Sequence, residues 1–165
     1  MAKNKIKKPE LDTGASYLAM IKNSVGTKMF RNLYFKIKGK GRSLDVLENG
    51  DLSCAVYVTS ILYLLRLIKE PHTTVRATVE DIEKSGWYKI KKPKPGAIIL
   101  WDFKKLPGGK RSKHRHVGFY LNPKEAISND PKSGQTAKHH LNYGYFPSGE
   151  TKRDILGFYW HKRLN

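Results

Sequence analysis

The most reactive side chain in this sequence is its single cysteine, Cys54. A cysteine nucleophile attacks a carbonyl carbon, and it needs a base to take the thiol proton and a third group to orient that base. Cys54 follows the turn-forming Asn49-Gly50-Asp51 and leads into the apolar run AVYVTSILYLL. This pattern predicts a central, buried helix from about Ser53 to Lys69, with Ser53 as its N-cap and Pro71 beyond its end. At such a position free backbone N–H groups and the positive end of the helix dipole favour a thiolate. The same N–H groups favour an oxyanion on the attacked carbonyl.

Among the six histidines, His116 is the best-placed base. It opens HVGFYL, where Val117, Phe119 and Leu121 alternate with Gly118 and Tyr120, the period of a strand. An imidazole there can face a helix start packed against the sheet, with Gly118 leaving room on the same face. Ser128, Asn129 and Asp130 follow on a neighbouring stretch and offer groups that could accept the imidazole N–H and fix its tautomer. His139 and His140 fall in a late loop and are read as substrate contacts beside the cleft. No other ligands stand at metal spacing around them, so neither metal nor cofactor is expected. One cysteine also excludes an intramolecular disulfide framework. The PGGK segment near Leu106 lacks the strand–loop–helix setting of a phosphate loop.

The elements that must position these residues read as helices first and strands after, an α+β order. Residues 1–15 read as a flexible basic tail and 16–165 as one domain. A short amphipathic helix begins near Ser16 and stops at Gly26, and Met29, Phe30, Leu33, Tyr34 and Phe35 form a second apolar cluster. A turn-rich stretch follows from Gly39 to Gly50. After the central helix, Thr73 or Thr74 caps an amphipathic helix that runs to about Lys84. Pro93 and Pro95 bracket a linker. Ala97 to Phe103 reads as a buried strand, His116 to Leu121 as a second, Ala126 to Asn129 as a third, and Ile155 to His161 as a closing strand, with 130–150 as loop.

The chain has 165 residues, and its 32 Lys and Arg against 14 Asp and Glu give a formal charge of +18. From Lys84 to Arg115 there are eleven basic residues against one acid, Asp102. That segment ends at the proposed base and should concentrate anionic partners, such as an anionic polymer or nucleic acid, near the site. The longest apolar stretch, Ala55 to Ile68, falls short of the roughly 20 residues of a membrane span. The basic N-terminus has no apolar run behind it, so no secretory signal is read. The default expectation is a cytoplasmic monomer, with export only by a non-classical route.

Three segments carry a family likeness. SCAVYVTSILYLL, KPKPGAIILWDF and HVGFYL resemble, in this order and spacing, the signatures of the NlpC-type cell-wall peptidases. Those enzymes and the CHAP amidases belong to the papain-like cysteine hydrolase superfamily. The resemblance covers roughly residues 50–130. It implies a papain-like α+β fold, a central antiparallel sheet packed on a buried helix that begins with the cysteine, and a peptidoglycan peptide or amide as substrate.

The sequence departs from the family at three points. Ser53 stands where the family often has Asp, and no aromatic–glycine motif precedes Leu52, which leaves Tyr34 as one candidate for an oxyanion-hole side chain. Family spacing puts Ser128 where these peptidases usually have a histidine, whereas the neighbouring Asn129 carries an amide oxygen suited to an imidazole N–H. The expectation is therefore a cysteine peptidase or amidase with Cys54 as nucleophile, His116 as base and Asn129 as orienter. Ser53, Ser128, His139 and His140 stand as substrate contacts. The rival readings are a non-catalytic basic binding module and an acyltransferase using the same thioester.

Overall fold

The computed structural model describes residues 8–39 and 41–165. The first seven residues of the expected tail, 1–7, lie outside the described residues. Helix α1 (Thr13–Asn23) starts inside the remainder because Asp12 caps it, accepting from the Ala15 N–H at 2.8 Å. α1 turns Tyr17 and Ile21 inward, and the Tyr17 hydroxyl donates to the Gly96 carbonyl at 2.7 Å.

The stretch between α1 and the central helix holds a small antiparallel hairpin, β1 (Tyr34–Lys36) and β2 (Ser43–Asp45), whose Tyr34, Phe35 and Leu44 are exposed. Asp45 ties this hairpin to the turn ahead of Cys54. Its carboxylate accepts from the N–H groups of Leu33, Leu47 and Asn49 and from Asn32 Nδ2. These donors hold the Asp45 carboxyl down to about 2. The turn closes with Gly50 in the left-handed region, at φ 100°, against the turn at Gly134. A Cβ on Gly50 would stand 2.5 Å from Gly134 Cα, so only glycine permits that approach.

Helix α2 (Cys54–Leu64) is apolar on most faces and buries Ala55, Tyr57, Val58, Ile61 and Leu62. It ends sooner than its hydrophobic pattern suggests. Arg66 adopts a left-handed conformation at φ 53°, and the Leu67 N–H folds back to the Leu62 carbonyl at 2.9 Å. Helix α3 (Val75–Lys84) is capped by Thr74, whose hydroxyl accepts from the Ala77 N–H.

The remaining strands form one six-stranded antiparallel sheet. These are β3 (Trp87–Ile90), β4 (Ile98–Trp101), β5 (His116–Asn122), β6 (Glu125–Asp130), β7 (Gln135–His140) and β8 (Ile155–His161), in the order β3-β8-β4-β5-β6-β7. The described residues thus form a mixed α+β fold with three α-helices and antiparallel sheets. α2 packs on β5 and β6, where Tyr57 meets Phe119 edge to face at 5.5 Å and Tyr17 meets it at 5.7 Å. Besides the β1–β2 hairpin, two strands of this sheet fall where none was expected. β3 occupies the approach to the proline linker, and β7 occupies part of the late loop. Among the described residues no helix is long and apolar enough to cross a membrane.

Candidate active site

The fold leaves a cavity of about 1070 Å³ beside the start of α2 and the start of β5. Cys54, Ala55, His116, Tyr143 and Arg153 line it. Lys104, Lys113 and Arg115 from the basic segment also line it, so part of that segment does border this space. Asp102 moderates their charge by pairing with Arg111 at 3.4 Å and Arg115 at 3.3 Å.

Cys54 is the first residue of α2 and is buried. Burial pushes its thiol above the ordinary range, against the opposing pull of the Val117, Ala55 and Cys54 N–H groups and the Arg153 charge. The helix dipole favours a thiolate at this position, and desolvation outweighs it. His116 moves the other way. Burial, then the charges of Arg153 and His139, hold its imidazole well below the usual histidine range. At neutral pH burial thus favours the uncharged form of both the Cys54 thiol and the His116 imidazole.

The hydrogen bonds around His116 fix its tautomer. His116 Nε2 lies 2.9 Å from Ser128 Oγ. The same oxygen lies 2.8 Å from His139 Nε2 and 2.9 Å from the Tyr143 hydroxyl. His139 Nδ1 is 2.9 Å from the His140 carbonyl, which can only accept, so Nδ1 carries the His139 proton. Burial lowers the His139 pKa and keeps the ring neutral, so its Nε2 is a bare lone pair. Ser128 donates its one proton there, since its other acceptor, the Asn129 carbonyl, is farther at 3.4 Å. Two lone pairs remain on Ser128, and they accept from the Tyr143 O–H and the His116 Nε2–H. His116 is left with Nδ1 unprotonated, the form a base must have.

An aromatic floor supports this network. Trp101 is fully buried, donates from Nε1 to the Leu141 carbonyl, and sets its ring 5.6–5.7 Å from those of His116, His139 and Tyr143. Tyr143 stacks on His139 at 4.1 Å and sits in the left-handed region at φ 62°. That conformation is a genuine outlier for a bulky residue and marks stored strain. His140 holds the turn, with Nδ1 accepting from the Asn142 and Gly144 N–H groups.

Several sequence expectations change here. Asn129 does not orient His116. Alternation along β6 turns it away from Ser128, and its amide donates instead to the Gly50 carbonyl, pinning the turn that leads into Cys54. Ser53 does not cap α2 with its side chain and is not open to substrate. It is fully buried, with Oγ donating to the Gly50 carbonyl at 3.2 Å. Ser128 is equally buried and holds His116 rather than substrate. His139 lies behind Ser128, and His140 anchors a turn; neither lines the cavity. Tyr34 is exposed on the hairpin and does not line it either. Gly118 leaves no open room. A Cβ there would meet Ser128 Cβ at 2.7 Å and the Trp101 ring at 2.9 Å. The sequence reading missed Tyr143 and Arg153. A tyrosine next to glycine after a histidine pair was the one available hint for the first, and nothing around Lys152-Arg153-Asp154 marked the second.

Among the described residues no group of three or more His, Cys, Asp or Glu is placed to hold a metal ion. Compared with known proteins, the chain matches no family model and no curated protein.

Proposed function

We propose that this protein is a papain-like cysteine hydrolase that opens an amide bond through a thioester. The observation that carries the reading is that the helix-starting Cys54 lines the same cavity as a His116 whose Nε2–H is committed to Ser128. That commitment leaves Nδ1 for the thiol proton. As the sulfur attacks the carbonyl carbon, His116 Nδ1 takes the proton, and the carbonyl electrons move onto oxygen. Backbone N–H groups at the start of α2 stabilise that oxyanion. The tetrahedral species collapses, the C–N bond breaks, and His116 returns the proton to the leaving amine. Water then repeats the sequence on the thioester and frees the carboxylic acid. The resemblance of the three segments favours a peptidoglycan peptide or a related peptide as substrate, and no cofactor takes part in these steps.

The activated ester p-nitrophenyl acetate tests the reading without a known substrate. The expected result is one acetyl group on Cys54, released again by water, with His116→Ala slowing acylation ~100-fold or more. Acylation at Cys54 that is indifferent to His116→Ala would overturn it.

A further inference from the structure

Arg153 is a buried cation that, among the described residues, makes no ion pair, although the Asp102 charge acts on it from a distance. It is 8% exposed, precedes β8 and lines the cavity with Cys54 and His116. A guanidinium has five N–H groups. Among the described residues its only hydrogen bond runs from Nη1 to the Asp102 backbone carbonyl at 2.9 Å. Nε is wholly buried and has no partner. No carboxylate lies within ion-pair distance of it among the described residues, because the Asp102 side chain is held by Arg111 and Arg115. The Tyr143 ring faces the guanidinium at 5.3 Å, which offers a π face but no acceptor for the fork. A buried charge left in this condition is costly unless something neutralises it.

We infer that Arg153 is the anion-binding residue of the cavity and that the substrate carries a carboxylate close to the carbonyl that Cys54 attacks. This rests on the hydrolase reading for the identity of the attacked bond, but not for the presence of the anion site. The planar fork matches a carboxylate in two parallel hydrogen bonds. The lining also carries Arg76, Lys104, Lys113, Arg115 and Lys132 against Glu48, Asp51, Glu80 and Asp130, so the cavity as a whole favours anions and the buried Arg153 fixes where one would sit. Arg153 and a Cys54 thiolate also stabilise each other electrostatically, which places the guanidinium within the field of the reacting sulfur.

Two alkylating probes that differ only in charge test this. Iodoacetate and iodoacetamide attack the same thiolate, so their rate ratio at Cys54 is independent of any base. The wild-type protein is expected to react roughly 10-fold faster with iodoacetate, saturably, with protection by acetate. The preference should survive about 0.5 M KCl, where diffuse attraction to a basic surface is screened within a few ångströms. In Arg153→Gln the ratio should fall roughly 10-fold, with Arg153→Lys in between. A wild-type ratio no higher than that of glutathione, one abolished by salt, or one unchanged in Arg153→Gln would overturn the inference. Should Arg153→Gln not fold, saturation and acetate protection in the wild type decide alone. A lost preference beside an intact His116-dependent ester reaction removes only the anion site. A retained preference without that reaction removes only the hydrolase reading.

Discussion

At the residue scale the site turns on which nitrogen of His116 carries a proton, and a serine decides it. Ser128 has one proton to give and two lone pairs to fill, and His139 takes the proton because its own hydrogen is committed to the His140 carbonyl. His139, one strand further out, reaches His116 through that hydroxyl. His139 is accordingly a positioning residue. NMR correlation of the imidazole nitrogens should show His116 as the Nε2–H tautomer and His139 as Nδ1–H. Ser128→Ala should slow p-nitrophenyl acetate acylation by about 10- to 100-fold, the usual cost of losing an orienting partner, while iodoacetamide still alkylates Cys54. Finding His116 as Nδ1–H in the wild type would refute the scheme.

At the element scale three close approaches set the geometry: Gly50 against Gly134, Asn129 against the Gly50 carbonyl, and Gly118 against Ser128 and Trp101. The last is the most exposed to test. A Cβ at Gly118 would also stand 2.6 Å from the Ile127 carbonyl, and this is backbone that cannot turn aside. Gly118→Ala should cost about 1–3 kcal/mol in urea unfolding and should also displace Ser128, lowering acylation beyond what the stability loss explains. Unchanged stability and activity would show that β5 and β6 are looser than this. α3, β4, β5 and β8 were legible in the sequence because their apolar residues recur at the helical or strand period. β7 was not, since Gln135–His140 is polar, lies at the edge of the sheet and buries little. Cys54 and His116 were legible by residue type and position, and the structure sets both on one cavity. Asn129 was misassigned because pairing rather than residue type decides which of two adjacent polar residues faces the histidine.

At the scale of the whole molecule, the buried neutral histidines couple the site to acid stability. His116 is held below 6.5 by burial and by the charges of Arg153 and His139. His139 is held below it by burial and the charges of Arg153 and His140, against the His140 carbonyl and Asp130. A histidine with a depressed folded pKa binds fewer protons folded than unfolded between the two values. Its contribution to stability is therefore complete above about 6.5 and is lost as pH falls from there toward the folded value. Each such histidine contributes up to about 1.4 kcal/mol per pH unit in that window. Asp45 acts in a separate window. Its carboxyl sits at about 2 against an ordinary 3.8, so its contribution is present above 3.8 and is lost only between 3.8 and about 2. Added protons also load a chain that already carries +18, which steepens the decline. Urea unfolding midpoints should accordingly fall between pH 7 and 5, above the window of Asp45. His161 is lowered too, by burial first, so His139→Gln should flatten the slope by close to one proton and leave the rest. A wild-type stability unchanged across that range would show that these imidazoles are not held neutral by the fold.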